Sequence, residues 1–283
     1  MIDEIKFVHP KDMQDGKIAI TGRDITTNLP YVPTAHLAFD HHASEAVRNT
    51  GENKNHIILT DAPSAARVVY NYYGGRAAFP RITDAMMDAV DKADSAQFTR
   101  EEILSPTGWP LLNYLMDSRT GLGRFRDFRI SNYDLMMDLI SFCASKTIDE
   151  IIALPDVKER VDIYHAHADK AKEQILRCST VHKNLVVLDL REEETIWASN
   201  RFMIYALFPQ TNISIHVMWG LQKQNTVFAT GKSIMNRSSK TNVGELMLAY
   251  GGGGHSAAGT CQIANDQADG VLQTLITRIN QDG

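Results

Sequence analysis

At 283 residues and 31.6 kDa the chain exceeds what one hydrophobic core usually serves, so two domains are expected. With 43% hydrophobic and 22% charged residues it is excluded from the disordered, collagen-like and low-complexity classes. No apolar run approaches the roughly eighteen residues of a membrane span, and MIDEIKFVHP lacks the basic-then-apolar layout of a secretion signal. A cytoplasmic protein with no membrane partner is the expectation.

The formal charge of -5 argues against indiscriminate wrapping of nucleic acid, but the charge is unevenly spread. Between Glu194 and Glu245 no acidic residue occurs, while Arg201, Lys223, Lys232, Arg237 and Lys240 do. A basic surface there suits an anionic ligand, and scattered solvated side chains would give the same pattern. The 3 cysteines, Cys143, Cys178 and Cys261, are too widely spaced for a disulfide framework or a Cys-x-x-Cys zinc site, and buried apolar roles are expected for them.

In chain order, IKFVHP, KIAITG, AHLAFDHH and IILT read as strands. Pro63 opens a helix over SAARVVYNYYG, and Thr83 caps another over DAMMDAVDKAD. Strands alternating with helices predict a parallel sheet covered on both faces, with ligands beyond the strand carboxyl ends. Residues 131–178 look helical, and from Val157 the positions Val161, Tyr164, Ala168, Ala171 and Ile175 continue one apolar stripe, a connecting helix. NLVVLDL, ISIHVMW and TVFATG are strand-like, and a helix from about Asn242 to Tyr250 runs into four glycines. The fold class is therefore α/β, with a second α/β domain starting near residue 183.

Asp40-His41-His42 follows LAF, so an acid and two imidazoles stand at the tip of a buried strand. Imidazole with carboxylate suits Mn, Zn or Fe. A solvated turn is the alternative, because neighbouring residues on an extended strand point to opposite faces. Asp24, ending IAITGRD, and Asp94, closing the helix from Thr83, are further acids at suitable positions. Asp84, Asp88 and Asp91 share one face of that helix and read as a solvated stripe; Asp94 lies roughly 60 to 100 degrees off it. Gly251 to Gly254 before His255 can curl backbone N–H groups round an anion, with a following helix adding its positive end; a flexible turn is the competing reading. His165 and His167 sit two apart on a helix and do not face one another.

LAFDHHASE at 37–45 and YGGGGHSAAG at 250–259, in that order, resemble the DHH phosphoesterase superfamily with its DHH-associated carboxyl-terminal domain, in the exopolyphosphatase-like and oligoribonuclease-like branch. The resemblance implies a DHH domain over 1–156, a linking helix over 157–182 and a substrate-binding domain over 183–283. It implies a Mn-dependent phosphohydrolase or phosphodiesterase, with Mg or Co as substitutes. The substrate would be polyphosphate, a short oligonucleotide or a phosphorylated nucleotide, gripped across a cleft. Carried over, Asp24, His41 and Asp94 are the metal ligands, with Asp91 in reserve for Asp94. Asp40 orients, and His42 stands near the scissile phosphate. Gly252, Gly253, Gly254 and His255 form the phosphate-contacting loop, helped by Arg237 and Ser238.

One departure bears on activity. The family opens with a strand ending in Asp-x-Asp, and no Asp-x-Asp occurs in these 283 residues. Either the start of the reading frame is placed too late or the unit has been lost; the expectation is a domain lacking its first strand and helix, with impaired turnover and a sheet edge open to a second copy as a homodimer. A non-catalytic protein that binds phosphate or nucleic-acid ends is the alternative.

Overall fold

The computed structural model describes residues 2–42, 45, 51, 53–125 and 127–283. The chain divides into two compact units, Met1–Gln97 and Phe98–Gly283. This division falls earlier than the sequence boundary at 156/157, and the connecting helix lies within the second unit.

In the first unit a three-stranded parallel sheet runs in the order β1 (Ile25–Thr27), β2 (Leu37–Asp40), β3 (His56–Ile58). β2 is central, and Ala38, Phe39 and Asp40 are buried, as a strand flanked on both sides requires. Phe39 packs edge-on against Tyr72 at 5.1 Å between ring centroids. Tyr72 ends helix α2 (Ala65–Tyr72), capped by Ser64, whose hydroxyl accepts from the Arg67 amide. Pro63 therefore precedes the cap rather than opening the first turn. Helix α3 (Asp84–Asp94) starts at Thr83 as its pattern predicts, and Asp94 is its last residue.

The two amino-terminal strand expectations are not met. Pro10, held at the first turn with His9 as cap, begins a short helix, α1 (Pro10–Gln14), and Ile5 and Phe7 ahead of it are exposed. KIAITG forms no strand either: the Ile20 carbonyl accepts from the Thr34 hydroxyl at 2.7 Å instead of from a neighbouring strand. The acidic stripe of α3 is not simply solvated. Asp91 takes the Ser64 hydroxyl at 2.6 Å and the Arg67 Nε at 2.8 Å, and Arg76 reaches Asp84.

In the second unit the helical stretch from 131 is three helices: α6 (Asn132–Cys143), α7 (Ile148–Ile152) and α8 (Pro155–Arg177), following α4 (Arg100–Leu104) and α5 (Gly108–Met116). Thr147 and Glu150 form a capping box and Pro155 opens α8, so each start signal breaks the run. Val157, Val161, Tyr164, Ala171 and Ile175 of the stripe are buried and Ala168 is half-buried.

A six-stranded mixed sheet follows, in the order β4-β5-β6-β7-β9-β8: β4 (Ser179–His182), β5 (Leu185–Asp189), β6 (Ile213–Trp219), β7 (Thr226–Lys232), β8 (Gly253–His255) and β9 (Ala258–Ile263). Only β5 and β6 pair in parallel. Leu185, Val187, Ile213, Ile215, Val217 and Phe228 pack on one face against α10 (Val243–Leu248) and α11 (Ala268–Asp282). On the other face Tyr205, from helix α9 (Met203–Leu207), bonds Ser214 and the Gly231 carbonyl. Cys261 is buried as expected, whereas Cys143 and Cys178 are half-buried. No helix among the described residues is long and apolar enough to cross a membrane.

Candidate active site

Asp40 closes the central strand of the first unit with 1% of its surface exposed, so its carboxylate must be satisfied locally. Oδ1 accepts from the His41 amide at 2.8 Å, the His42 amide at 3.3 Å and the His42 ring Nδ1 at 2.7 Å. Oδ2 is buried and has no hydrogen-bond partner among the described residues. Burial alone would raise this carboxyl, but the bonds from His42 and the His41 amide hold it below the usual carboxylate range. The same bond from Asp40 raises the His42 imidazole above its ordinary value, against the cost of its partial burial. The His42 side chain keeps about half its surface, 51%, in solvent.

His41 turns the other way, as adjacent residues leaving a strand do. Its Nδ1 lies 3.0 Å from the Ala62 carbonyl, which can only accept, so Nδ1 carries the proton. In the neutral imidazole Nε2 then presents a lone pair, and 3.1 Å from it is Oδ2 of Asp94. Nε2 is buried and makes no hydrogen bond to a described residue. With the imidazole neutral, two acceptors face one another across that gap, an arrangement that a cation between them would satisfy. A nitrogen and an oxygen each about 2.1 Å from one ion, at an angle of 90 to 110 degrees, stand roughly 3 to 3.4 Å apart. The pair fits two positions of a divalent ion's coordination shell, with the Ala62 carbonyl as the orienting partner that ligating histidines generally have.

Of the two acids left open on α3, only Asp94 meets His41; Asp91 is occupied by Ser64 and Arg67. Asp24 is not brought to them. Its Oδ2 accepts from the amide and hydroxyl of Thr21, both at 2.8 Å, and those bonds lower its carboxyl. Among the described residues no three His, Cys, Asp or Glu side chains form a group that could hold an ion. Sequence reasoning missed Ala62, visible only through its backbone, and Glu45, which lies inside the quoted motif. Glu45 is buried and accepts from the Tyr31 amide at 3.1 Å.

In the second unit the glycine run does not open a helix. Gly251, with φ +73, turns the chain out of α10, and Gly253–His255 form β8, pairing Gly254 with Gly259 and His255 with Ala258. No positive helix end follows His255; the run is followed by strand β9. A Cβ on Gly252 would lie 2.1 Å from the Thr260 carbonyl oxygen and one on Gly254 2.3 Å from that of Ala258, so both glycines are required by packing. Gly253 differs, since a Cβ there would meet nothing within 4 Å. The Lys232 amide bonds the Ala257 carbonyl and the Val243 amide that of Ser256, tying the hairpin turn to both ends of the segment that carries Arg237 and Ser238. Arg237 Nε donates to the Ile234 carbonyl, and Ser238 Oγ accepts from Asn212 and donates to Asn236. The His255 Nδ1 accepts from the Ala257 amide.

The solved structures similar to this chain include the pGpG-specific phosphodiesterase PggH from Vibrio cholerae, 66% identical over 100% of this chain and 92% of that one, at a TM-score of 0.87. The chain belongs to the DHH phosphoesterase superfamily. An exopolyphosphatase-related protein from Bacteroides fragilis matches at 15% identity and TM-score 0.44, over 86% of this chain and 63% of that one. The DHH domain of a member of a ribosomal-protein family matches at 13% and 0.43, over 76% and 53%. No family model and no curated protein matches the chain. Asp40-His41-His42 is thus this DHH protein's signature, and in it the two imidazoles are divided between two acids, His41 with Asp94 and His42 with Asp40.

Proposed function

We propose that this chain hydrolyses the phosphodiester bond of a short 5′-phosphorylated oligonucleotide, with a dinucleotide such as pGpG as the substrate of choice, assisted by a divalent ion of the Mn, Mg or Co kind. The observation that carries the reading is His41 Nε2 facing the Asp94 carboxylate at 3.1 Å while Nδ1 is held by the Ala62 carbonyl. The 66% identity to a pGpG-specific phosphodiesterase supports the choice of substrate.

His41 and Asp94 would hold the ion; Asp24, the further ligand that the family resemblance implies, is held apart from them by the Thr21 amide and hydroxyl. A bound divalent ion supplies a Lewis acid and lowers the pKa of water. The remaining work falls to the chain. Asp40 fixes the His42 ring through Nδ1, so Nε2 faces outward and can deliver a proton to the departing ribose oxygen. The Ala62 carbonyl fixes the tautomer of His41. In the second unit Arg237, Ser238, Gly252, Gly253, Gly254 and His255 remain the proposed phosphate contacts. There Gly253, which neither packing nor φ requires, is the position where a phosphate could come closest to the backbone.

The test is product analysis with protein stripped by a chelator and reloaded with Mn, Mg or Co. Water plus pGpG should yield two molecules of guanosine monophosphate, with polyphosphate and bis-phosphorylated adenosine turned over more slowly. Tight binding of pGpG with no cleavage under any ion would replace the enzyme by the non-catalytic phosphate-end binder.

A further inference from the structure

The sheet of the second unit is covered over only part of one face. Residues directly opposite one another on neighbouring strands share a face, so the registers draw two rows across it. One row runs Leu188, His216, Ala229, Thr260, Gly253 from β5 to β8, and the next runs Val186, Ser214, Gly231, Ala258, His255. Both start buried, at Leu188 and Val186. From β7 outward neither row contains a buried residue, and Thr260 and His255 are exposed. The cover over the second row is α9, whose Tyr205 hydroxyl holds Ser214 and the Gly231 carbonyl.

His216 stands where that cover ends. In His41, His42 and His167 a protein partner holds one ring nitrogen: the Ala62 carbonyl, the Asp40 carboxylate and the Ala198 amide. His216 is half-buried, yet it makes no hydrogen bond, ion pair or ring contact with a described residue, and neither ring nitrogen is sealed from solvent. Burial depresses its imidazole to about 4, so near pH 7 the ring is uncharged and offers one N–H and one lone pair.

The far end of the same row is Gly253, where an added Cβ would meet nothing within 4 Å, and His255 ends the other row. The position proposed above for phosphate therefore opens onto the face that carries the His216 ring. Three strand spacings separate the two, roughly 14 Å along the row. Allowing for the reach of the imidazole, that is the length of one nucleotide from its phosphate to the far edge of a purine; a pyrimidine, lacking the second ring, falls short. Between them stand Ala229 and Thr260, whose short side chains leave a flat group room. Neither row contains Lys, Arg, Asp or Glu, so the face suits a neutral group with a polar edge and not a second phosphate.

We propose that His216 is a base-reading residue: with a phosphate at Gly253, the attached purine, guanine in pGpG, lies over Ala229 and Thr260 and shares one hydrogen bond with the His216 ring. This rests on the phosphodiesterase reading above and deepens it, giving the second unit a part in selecting the base.

The test is equilibrium titration of chelator-treated full-length protein with guanosine monophosphate, uridine monophosphate and ribose 5-phosphate, alongside kinetics on pGpG with the metal restored. His216→Ala should weaken guanosine monophosphate about five- to tenfold, the worth of one hydrogen bond, and leave the other two probes unmoved. His216→Gln, which keeps a donor and an acceptor, should recover most of the loss. In turnover His216→Ala should raise KM for pGpG by the same factor with kcat unchanged, a split that a purely structural role would not give. Should His216→Ala fail to fold, Ala229→Leu decides in its place, since a larger side chain beside the ring should weaken guanosine monophosphate and spare ribose 5-phosphate. Equal weakening of all three probes, or of none, would overturn the proposal. A purine-selective loss in protein that cleaves nothing would keep the base contact and overturn the hydrolytic reading; normal cleavage of pGpG with unchanged affinities would do the reverse.

Discussion

The two signature segments of this chain solve opposite problems. At the end of β2 polar atoms are left unspent: Asp40 Oδ2 and His41 Nε2 are buried without hydrogen bonds to described residues, beside a strand paired on both edges. In the glycine hairpin the missing side chains are consumed by packing, with Gly252 and Gly254 pressed against the carbonyls of β9. Buried groups without a partner among the described residues ask for a further partner. Close-packed glycines need none. The first segment therefore points to a bound partner by its own geometry, and the second does so at Gly253 alone.

The largest expected effect breaks the first half of that contrast. His41→Ala and Asp94→Asn should each reduce turnover of pGpG to background, with the folded spectrum retained; activity above about a tenth of wild type in either would remove the pair from the site. His42→Ala should follow, with a fall of about 10²- to 10⁴-fold in kcat, the range for a lost proton donor.

The glycines sharpen the second half. Gly252→Ala forces a Cβ to 2.1 Å from the Thr260 oxygen and should cost about 1 to 3 kcal/mol, read from the urea midpoint. Gly253→Ala should stay within about 0.5 kcal/mol. Any loss of substrate affinity in Gly253→Ala then reports a ligand and not the fold; unchanged KM would leave the hairpin structural throughout.

Asp91→Asn separates the two candidate acids of α3, Asp91 and Asp94. Removing the partner of Ser64 and Arg67 should destabilise by about 1 to 3 kcal/mol while leaving turnover per folded molecule intact. The smallest effect concerns acid. Burial depresses the His216 imidazole to about 4, so the fold favours its neutral form. That contribution is complete above the unfolded value near 6.5 and is lost as pH falls from there toward about 4. His216→Leu should flatten the decline of the urea midpoint between those limits; an unchanged slope would show that the imidazole does not carry it.

Much of the architecture is legible because the signals are local. LAFD, IILT, SAARVVYNYYG and the Thr83 cap fall in β2, β3, α2 and α3, where apolar run and start signal agree. IKFVHP and KIAITG failed for the same reason in reverse: both have strand-like composition but no neighbouring strand takes their backbone, and the proline and Thr34 redirect it.

Residue chemistry alone marked Asp40, His41, His42 and the glycine run as unusual, and their order along the chain was enough to suggest the family. Which acid serves which imidazole was decided by tertiary structure, because Asp94 and Asp91 are one helical turn apart and only the partners arriving from β2 and α2 tell them apart. The same holds for Arg160 and Arg201. They are identical in composition and different in circumstance, Arg160 enclosed and donating to the Asp156 and Ile130 carbonyls and Arg201 sharing the Asp117 carboxylate, and that difference is made by segments distant in sequence.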